Sequence, residues 1–84
     1  NFSNHMVVTA EKFLEKNKID KNLIKPLIFE TFKKLKKTSA IDAQTGPAIR
    51  NDKETIDKHI NHLSESDFLN LYKIVTKNIM SNEL

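Results

Sequence analysis

Cysteine is absent from this 84-residue chain, which excludes disulfides, thiolate metal ligands and thiol catalysis. Glycine occurs once and proline twice, too few turn formers for the several hairpins of a β-fold. No run approaches the roughly 18 apolar residues a membrane span needs, so no membrane partner is expected. The opening Asn1-Phe2-Ser3-Asn4-His5-Met6 lacks the basic-then-apolar build of a signal peptide, and the expected location is cytoplasmic. It also lacks an initiator Met, and helical periodicity begins almost at once. The chain therefore reads as a piece of a longer protein.

A hydrophobic content of 38% is that of a globular chain rather than a disordered one, and the length suits one small domain over residues 1–84. A domain of this size buries roughly 60–65% of the surface its unfolded form exposes, enough for a single core. The net charge of +3 is a local excess, concentrated in Lys33, Lys34, Lys36 and Lys37. Such a cluster can attract nucleic acid or anionic lipid. Lysines in the last turn of a helix also complement its dipole and keep it soluble. The second reading suits so modest an excess, and no nucleic-acid partner is expected.

Apolar residues at Phe2, Met6, Ala10, Phe13 and Leu14 follow a helical face to about Asn17. Asn1, Asn4, His5, Val8, Lys12 and Glu15 project from the opposite side. Lys18 and Ile19 lead into a turn, with Asp20 placed to cap a second helix from about Lys21 to Lys37. There Leu23, Ile24, Leu27, Ile28, Thr31, Phe32 and Leu35 form a stripe wide enough for contact on more than one side. Pro26 marks either the true start of that helix or a bend in it. A third helix to about Leu63 turns Ile56, Ile60 and Leu63 inward. Ser64 with Asp67 resembles a capping box opening the last helix, whose stripe is Phe68, Leu71, Tyr72, Val75 and Ile79. The final Ser81-Asn82-Glu83-Leu84 is expected to fray. No stretch alternates with period two. The expected fold is all-α, an antiparallel bundle of about four main helices.

Between the second and third helices, Thr38 to Asn51 reads as a loop, and it holds the one glycine beside a proline. Pro47 suits the first position of a short helical turn, with Thr45 or Gly46 before it as cap. Asn51 tolerates a left-handed backbone, and Asp52 is placed to cap the third helix. Two constellations here have chemical potential. Asn1, Asn4 and His5 share one side of the opening helix and can hydrogen-bond a polar ligand, or be a plain solvent face. Thr45, Arg50 and Asp52 can bind a carboxylate or phosphate through the Arg50 fork, or be two caps and an ion pair. His59 and His62 are three apart on a helix, yet no third ligand accompanies them, so no metal site is expected. His59 reads as a boundary residue near the core seam and His62 as solvated. There is no P-loop and no G-x-G-x-x-G, so no cofactor-binding residue is expected in this chain.

The segment Ala43-Gln44-Thr45-Gly46-Pro47-Ala48-Ile49-Arg50-Asn51-Asp52-Lys53-Glu54-Thr55-Ile56, then Lys58-His59-Ile60 and Leu63, carries a further signal. It resembles the C-terminal domain, of unknown function, of Rossmann-like NAD(P)-dependent oxidoreductases. That family is similar to pyrroline-5-carboxylate reductase, ketopantoate reductase and deazaflavin-dependent NADP oxidoreductases. Its pattern is T-G-P, a short gap, R-G-D, then a helix with a histidine and a leucine. Thr45, Gly46, Pro47, Arg50, Asp52, His59 and Leu63 match, while Asn51 stands where the family has glycine. The asparagine-rich opening and Leu23-Ile24-Lys25-Pro26-Leu27-Ile28 resemble the family's first two C-terminal helices.

The resemblance implies a fold like the 6-phosphogluconate dehydrogenase C-terminal domain and a homodimer formed through helices. It also implies an N-terminal Rossmann domain on the same polypeptide, holding NAD or NADP for hydride transfer. This piece then faces a small-molecule substrate through Asn1, Asn4, His5, Thr45 and Arg50, with Gly46, Pro47, Asn51, Asp52 and His59 shaping the loop. The alternatives are a stand-alone helical interaction module and, behind it, a DNA-binding domain using the Lys33–Lys37 cluster.

Overall fold

Phe2–Lys16, free of glycine and proline, forms α1, with Asn1 at its N-cap. Its end is closed by the backbone of the next residues. The Ile19 N–H donates to the Leu14 carbonyl at 2.9 Å and the Lys18 N–H to that of Glu15 at 3.0 Å. Lys18 takes φ 59°, so this is a Schellman closure with a lysine where glycine is usual. Asp20 then caps a 3-10 turn, Lys21–Ile24, by accepting from the Asn22 N–H at 2.9 Å.

The second expected helix is present but divided. The 3-10 turn Lys21–Ile24 leads into α2, Lys25–Lys33, and a second 3-10 turn, Lys34–Lys36, follows. Pro26 lies in the first turn of α2, where its missing N–H costs nothing, so the α-helix begins at Lys25. The stretch after it is not loop throughout: Ala40–Ala43 forms α3, with Ser39 Oγ accepting from the Asp42 N–H at 3.3 Å.

Lys53–His62 forms α4, capped by Asp52. Phe68–Ser81 forms α5. The cap of α5 is not Ser64, as the capping-box pattern suggests, but Ser66, whose Oγ accepts from the Phe68 N–H at 3.0 Å. The chain between α4 and α5 is spent on closing α4: Leu63 N–H reaches back to His59 and Ile60, and Ser66 N–H to Leu63. That displaces the new start by two residues.

This computed structural model describes residues 1–81, and they contain helices and turns and no strand. The protein is all-α, as its periodicity predicts. Asn82, Glu83 and Leu84, where fraying is expected, lie outside the described residues. Ser81 is still helical, and its hydroxyl donates to the Asn78 carbonyl at 3.1 Å.

The chain divides into two compact units, Asn1–Ala43 and Gln44–Leu84. In the first, the 3-10 turn Lys21–Ile24 touches both α1 and α2. No helix of this unit holds a buried residue. Periodicity turns Phe2, Met6 and Phe13 inward, yet they are 85%, 39% and 38% exposed. Spacing identifies the apolar side of a helix but not whether anything covers it. In the second unit α4 packs on α5. The buried apolar residues, Ala48, Ile56 and Leu63, all belong to it.

Candidate functional site

The loop Gln44–Asp52 is organised by backbone geometry first. Gly46 has φ 105°, and a Cβ there would meet no atom within 4 Å. The glycine is required by its dihedral and not by crowding. Pro47 then opens a single helical turn. Its carbonyl accepts from the Asp52 N–H at 2.9 Å, and the Ala48 carbonyl from the Asn51 N–H at 3.1 Å. With Asn51 at φ 55°, this is a second Schellman closure. Asparagine is one of the few side chains that enter the left-handed region readily, so it substitutes for the glycine of the R-G-D pattern.

Asp52 thereby serves two elements. Its N–H ends the Pro47 turn, and its carboxylate begins α4. Oδ1 accepts from the Thr55 N–H at 3.2 Å and Oδ2 from the Thr55 hydroxyl at 2.8 Å. Arg50 Nη2 lies 3.5 Å from the same Oδ2. The Thr55 hydroxyl first, then the Thr55 N–H, hold the Asp52 carboxyl below its ordinary range; Arg50 adds to this and partial burial opposes it. Thr55 is the residue that loop chemistry alone overlooks. Its signal is position, three residues after an N-cap, where a side chain can return a bond to the cap.

Arg50 is therefore an ion-pair partner in this structure. The pair engages one nitrogen at a long distance, and the side chain stays 59% exposed. A guanidinium has five donors, so this geometry leaves a fork that can still receive a planar anion.

The remaining residues fall in different places. Thr45 precedes the turn, and its carbonyl accepts from Gln44 Nε2 at 3.0 Å. Asn1, Asn4 and His5 belong to the first unit, where all three are exposed at the start of α1. Asn1 Oδ1 accepts from the Phe2 N–H at 2.7 Å, so that side chain already has a capping task. His59 Nδ1 lies 2.8 Å from the Tyr72 hydroxyl, with the rings edge to face at 5.7 Å. This ties α4 to α5. Thirteen residues and a helix boundary separate the two, so no local spacing announces the contact. Among the described residues no cluster of three His, Cys, Asp or Glu can hold a metal ion. No helix among the described residues is long and apolar enough to cross a membrane.

The crystal structure of a putative NADP oxidoreductase from Bacteroides fragilis is similar to this chain. The TM-score is 0.93 at 35% sequence identity, over 96% of this chain and 32% of that one. The present chain thus spans about a third of that protein's length. No curated protein matches it. Residues 1–79 match a family described as a domain of unknown function, DUF2520, and the chain belongs to that family.

Proposed function

We propose that this chain is the substrate-side and dimerisation domain of an NADP-dependent oxidoreductase related to pyrroline-5-carboxylate and ketopantoate reductases. The observation that carries this reading is the 35% identity, over nearly the whole chain, to one third of a protein named for NADP oxidoreduction. A shared third of that kind is the relation expected of one domain in a two-domain enzyme.

This reading places the dinucleotide site outside the present chain. Gly46 sits before a proline turn and not between a strand and a helix, and the described residues include no strand. Hydride chemistry thus belongs to another part of the polypeptide. The share of this domain is to bind and orient a small molecule and to hold two copies together. Arg50 is the residue best suited to an anionic group of the substrate, because Asp52 positions it without enclosing it. Thr45 is the further candidate for polar contact in the same unit, and Asn1, Asn4 and His5 are separate candidates on the first unit.

Arg50→Ala in the full-length protein tests this. The expected result is a fall in kcat/KM of about tenfold to a hundredfold, with cofactor affinity retained. A loss of folding with no separate kinetic effect returns Arg50 to a structural role. Upstream sequence is the second test: a strand followed by G-x-G-x-x-G supports the reading, and a full-length protein without one sinks it.

A further inference from the structure

The His59–Tyr72 contact uses one edge of the imidazole and leaves the other to solvent. Among the described residues the Tyr72 hydroxyl has no partner besides His59 Nδ1, at 2.8 Å, and Nε2 of the same ring has none. The rings meet edge to face at 76°, so the imidazole is fixed in plane as well as in position. His59 is nonetheless exposed. A phenol is a better donor than acceptor, which favours Tyr72 donating to a bare Nδ1 and the proton of the neutral His59 on Nε2. The solvent edge of the ring then presents an N–H donor whether the imidazole is neutral or charged.

That donor lies on the flank of α4 that begins at Arg50. Arg50 Nη2 is 3.5 Å from Asp52 Oδ2, and that oxygen accepts from the Thr55 hydroxyl at 2.8 Å. His59 follows Thr55 by four residues, one turn along the same face, or about 6 Å. The guanidinium and the imidazole are thus on the order of 10 Å apart. Glu54 and Asp57, the acidic residues within α4, fall on other sides of the helix by the same count. Asp52, at its start, is occupied by Thr55 and Arg50. Hydrogen bonds of about 3 Å at either end leave room between the two donors for a chain of a few atoms.

We propose that His59, positioned by Tyr72, is the second fixed point of the substrate site, and that its ligand is a small carboxylic acid with a further acceptor atom a few bonds from the carboxylate. Arg50 takes the carboxylate, and the Nε2–H of His59 takes the acceptor. In hydride transfer such a donor draws electron density onto the oxygen or nitrogen of a carbonyl or imine and leaves the carbon beside it electrophilic. This rests on the reading of Arg50 above and gives His59 a role beyond joining α4 to α5.

Nitrogen NMR of the full-length protein, carrying isotopically labelled histidine and arginine, tests this. With the imidazole neutral, His59 should show a bare Nδ1 and a protonated Nε2, and Tyr72→Phe should return it to a mixture of tautomers. Succinate is the probe for the site, its second carboxylate standing in for the acceptor, and acetate is the control. Succinate should shift His59 Nε2 and the Arg50 side chain together, while acetate shifts Arg50 alone. His59→Asn keeps a hydrogen-bonding group near the Nδ1 position, so it should retain the melting temperature and weaken succinate binding about tenfold. If that variant does not fold, His59→Gln assigns the resonance and the shifts of the unsubstituted protein decide. A neutral ring protonated on Nδ1, or succinate that moves Arg50 and leaves His59 unmoved, overturns the inference and leaves the Arg50 reading standing. Succinate that moves neither overturns both.

Discussion

The two halves of this chain are held together by different means. In Gln44–Leu84, a glycine turn, a Schellman closure, a carboxylate cap and a histidine–tyrosine bond follow one another within thirty residues, and every buried apolar residue among the described ones lies here. In Asn1–Ala43, helices of ordinary amphipathic pattern carry most of their large apolar residues at the surface, from Phe2 to Ile41, with Leu14, Ile24 and Ile28 half-buried. The first kind of order is local and encloses a small core, although Ile49, Ile74, Val75 and Met80 of the same half stay exposed. The second is half of something: an apolar helix face gains its stabilisation only when another surface removes it from water.

The largest effect separates these halves directly. Leu63→Ala deletes a side chain that is 7% exposed, and should cost about 3 kcal/mol in denaturant unfolding followed by circular dichroism. Leu27→Ala removes the same atoms from a side chain that is 68% exposed. In the monomeric chain it should change stability by no more than about 0.5 kcal/mol. If the two substitutions cost the same, the contrast between the halves is wrong.

The same contrast explains what sequence alone could deliver. All four long helices follow from spacing, because a 3.6-residue period needs no tertiary information. So does the left-handed Asn51, since few residues occupy that conformation and a proline turn demanded one. The Asp52 cap follows from its place before α4. What lay out of reach depends on distance. Nothing near Phe2, Met6 or Phe13 distinguishes a covered stripe from an uncovered one. The His59–Tyr72 contact needs two helices already packed. Lys18 at φ 59° has no sequence signal at all, because lysine has no preference for that region. The three left-handed residues therefore form a graded series of how well sequence matches backbone.

Gly46→Ala is the next largest effect. The space is open, so the cost is the left-handed backbone alone, about 1–2 kcal/mol of unfolding free energy. Lys18→Gly should act in the opposite direction and stabilise the first unit by roughly 0.5–1 kcal/mol, since relief of left-handed strain exceeds the added freedom of the unfolded chain. Asn51→Gly should gain less than Lys18→Gly, because asparagine already tolerates φ 55°. Thermal melts of the three variants rank them. If Asn51→Gly gained more than Lys18→Gly, the Schellman closure of the second unit would be the more strained of the two, against the comparison drawn here.

The smallest effects lie at the two extremes of pH, one in each half. Asp52 has its pKa lowered, first by the Thr55 hydroxyl and then by the Thr55 N–H. Its contribution is therefore present above the ordinary aspartate value of about 3.9 and is lost as pH falls through the lower, folded value. Lys21 in the first unit is shifted upward, first by its hydrogen bond to Glu15 at 3.1 Å and then by the charges of Glu15 and Glu11. Its contribution is present below about pH 10.4 and is lost as pH rises through the higher, folded value. Both groups are solvent-accessible and salt screens them, so the Lys21 effect should be the weaker and should fade in 1 M NaCl. The Asp52 effect rests on hydrogen bonds to Thr55, and should persist in that salt. Melting temperatures of Asp52→Asn and Lys21→Gln, each against the parent from pH 2.5 to 11, resolve the two. The Asp52→Asn difference should shrink toward acid and the Lys21→Gln difference toward base. An Asp52→Asn difference that vanished in 1 M NaCl at neutral pH would make Arg50, and not Thr55, the main partner of Asp52. Arg50 would then be committed to the loop and unavailable to a substrate anion.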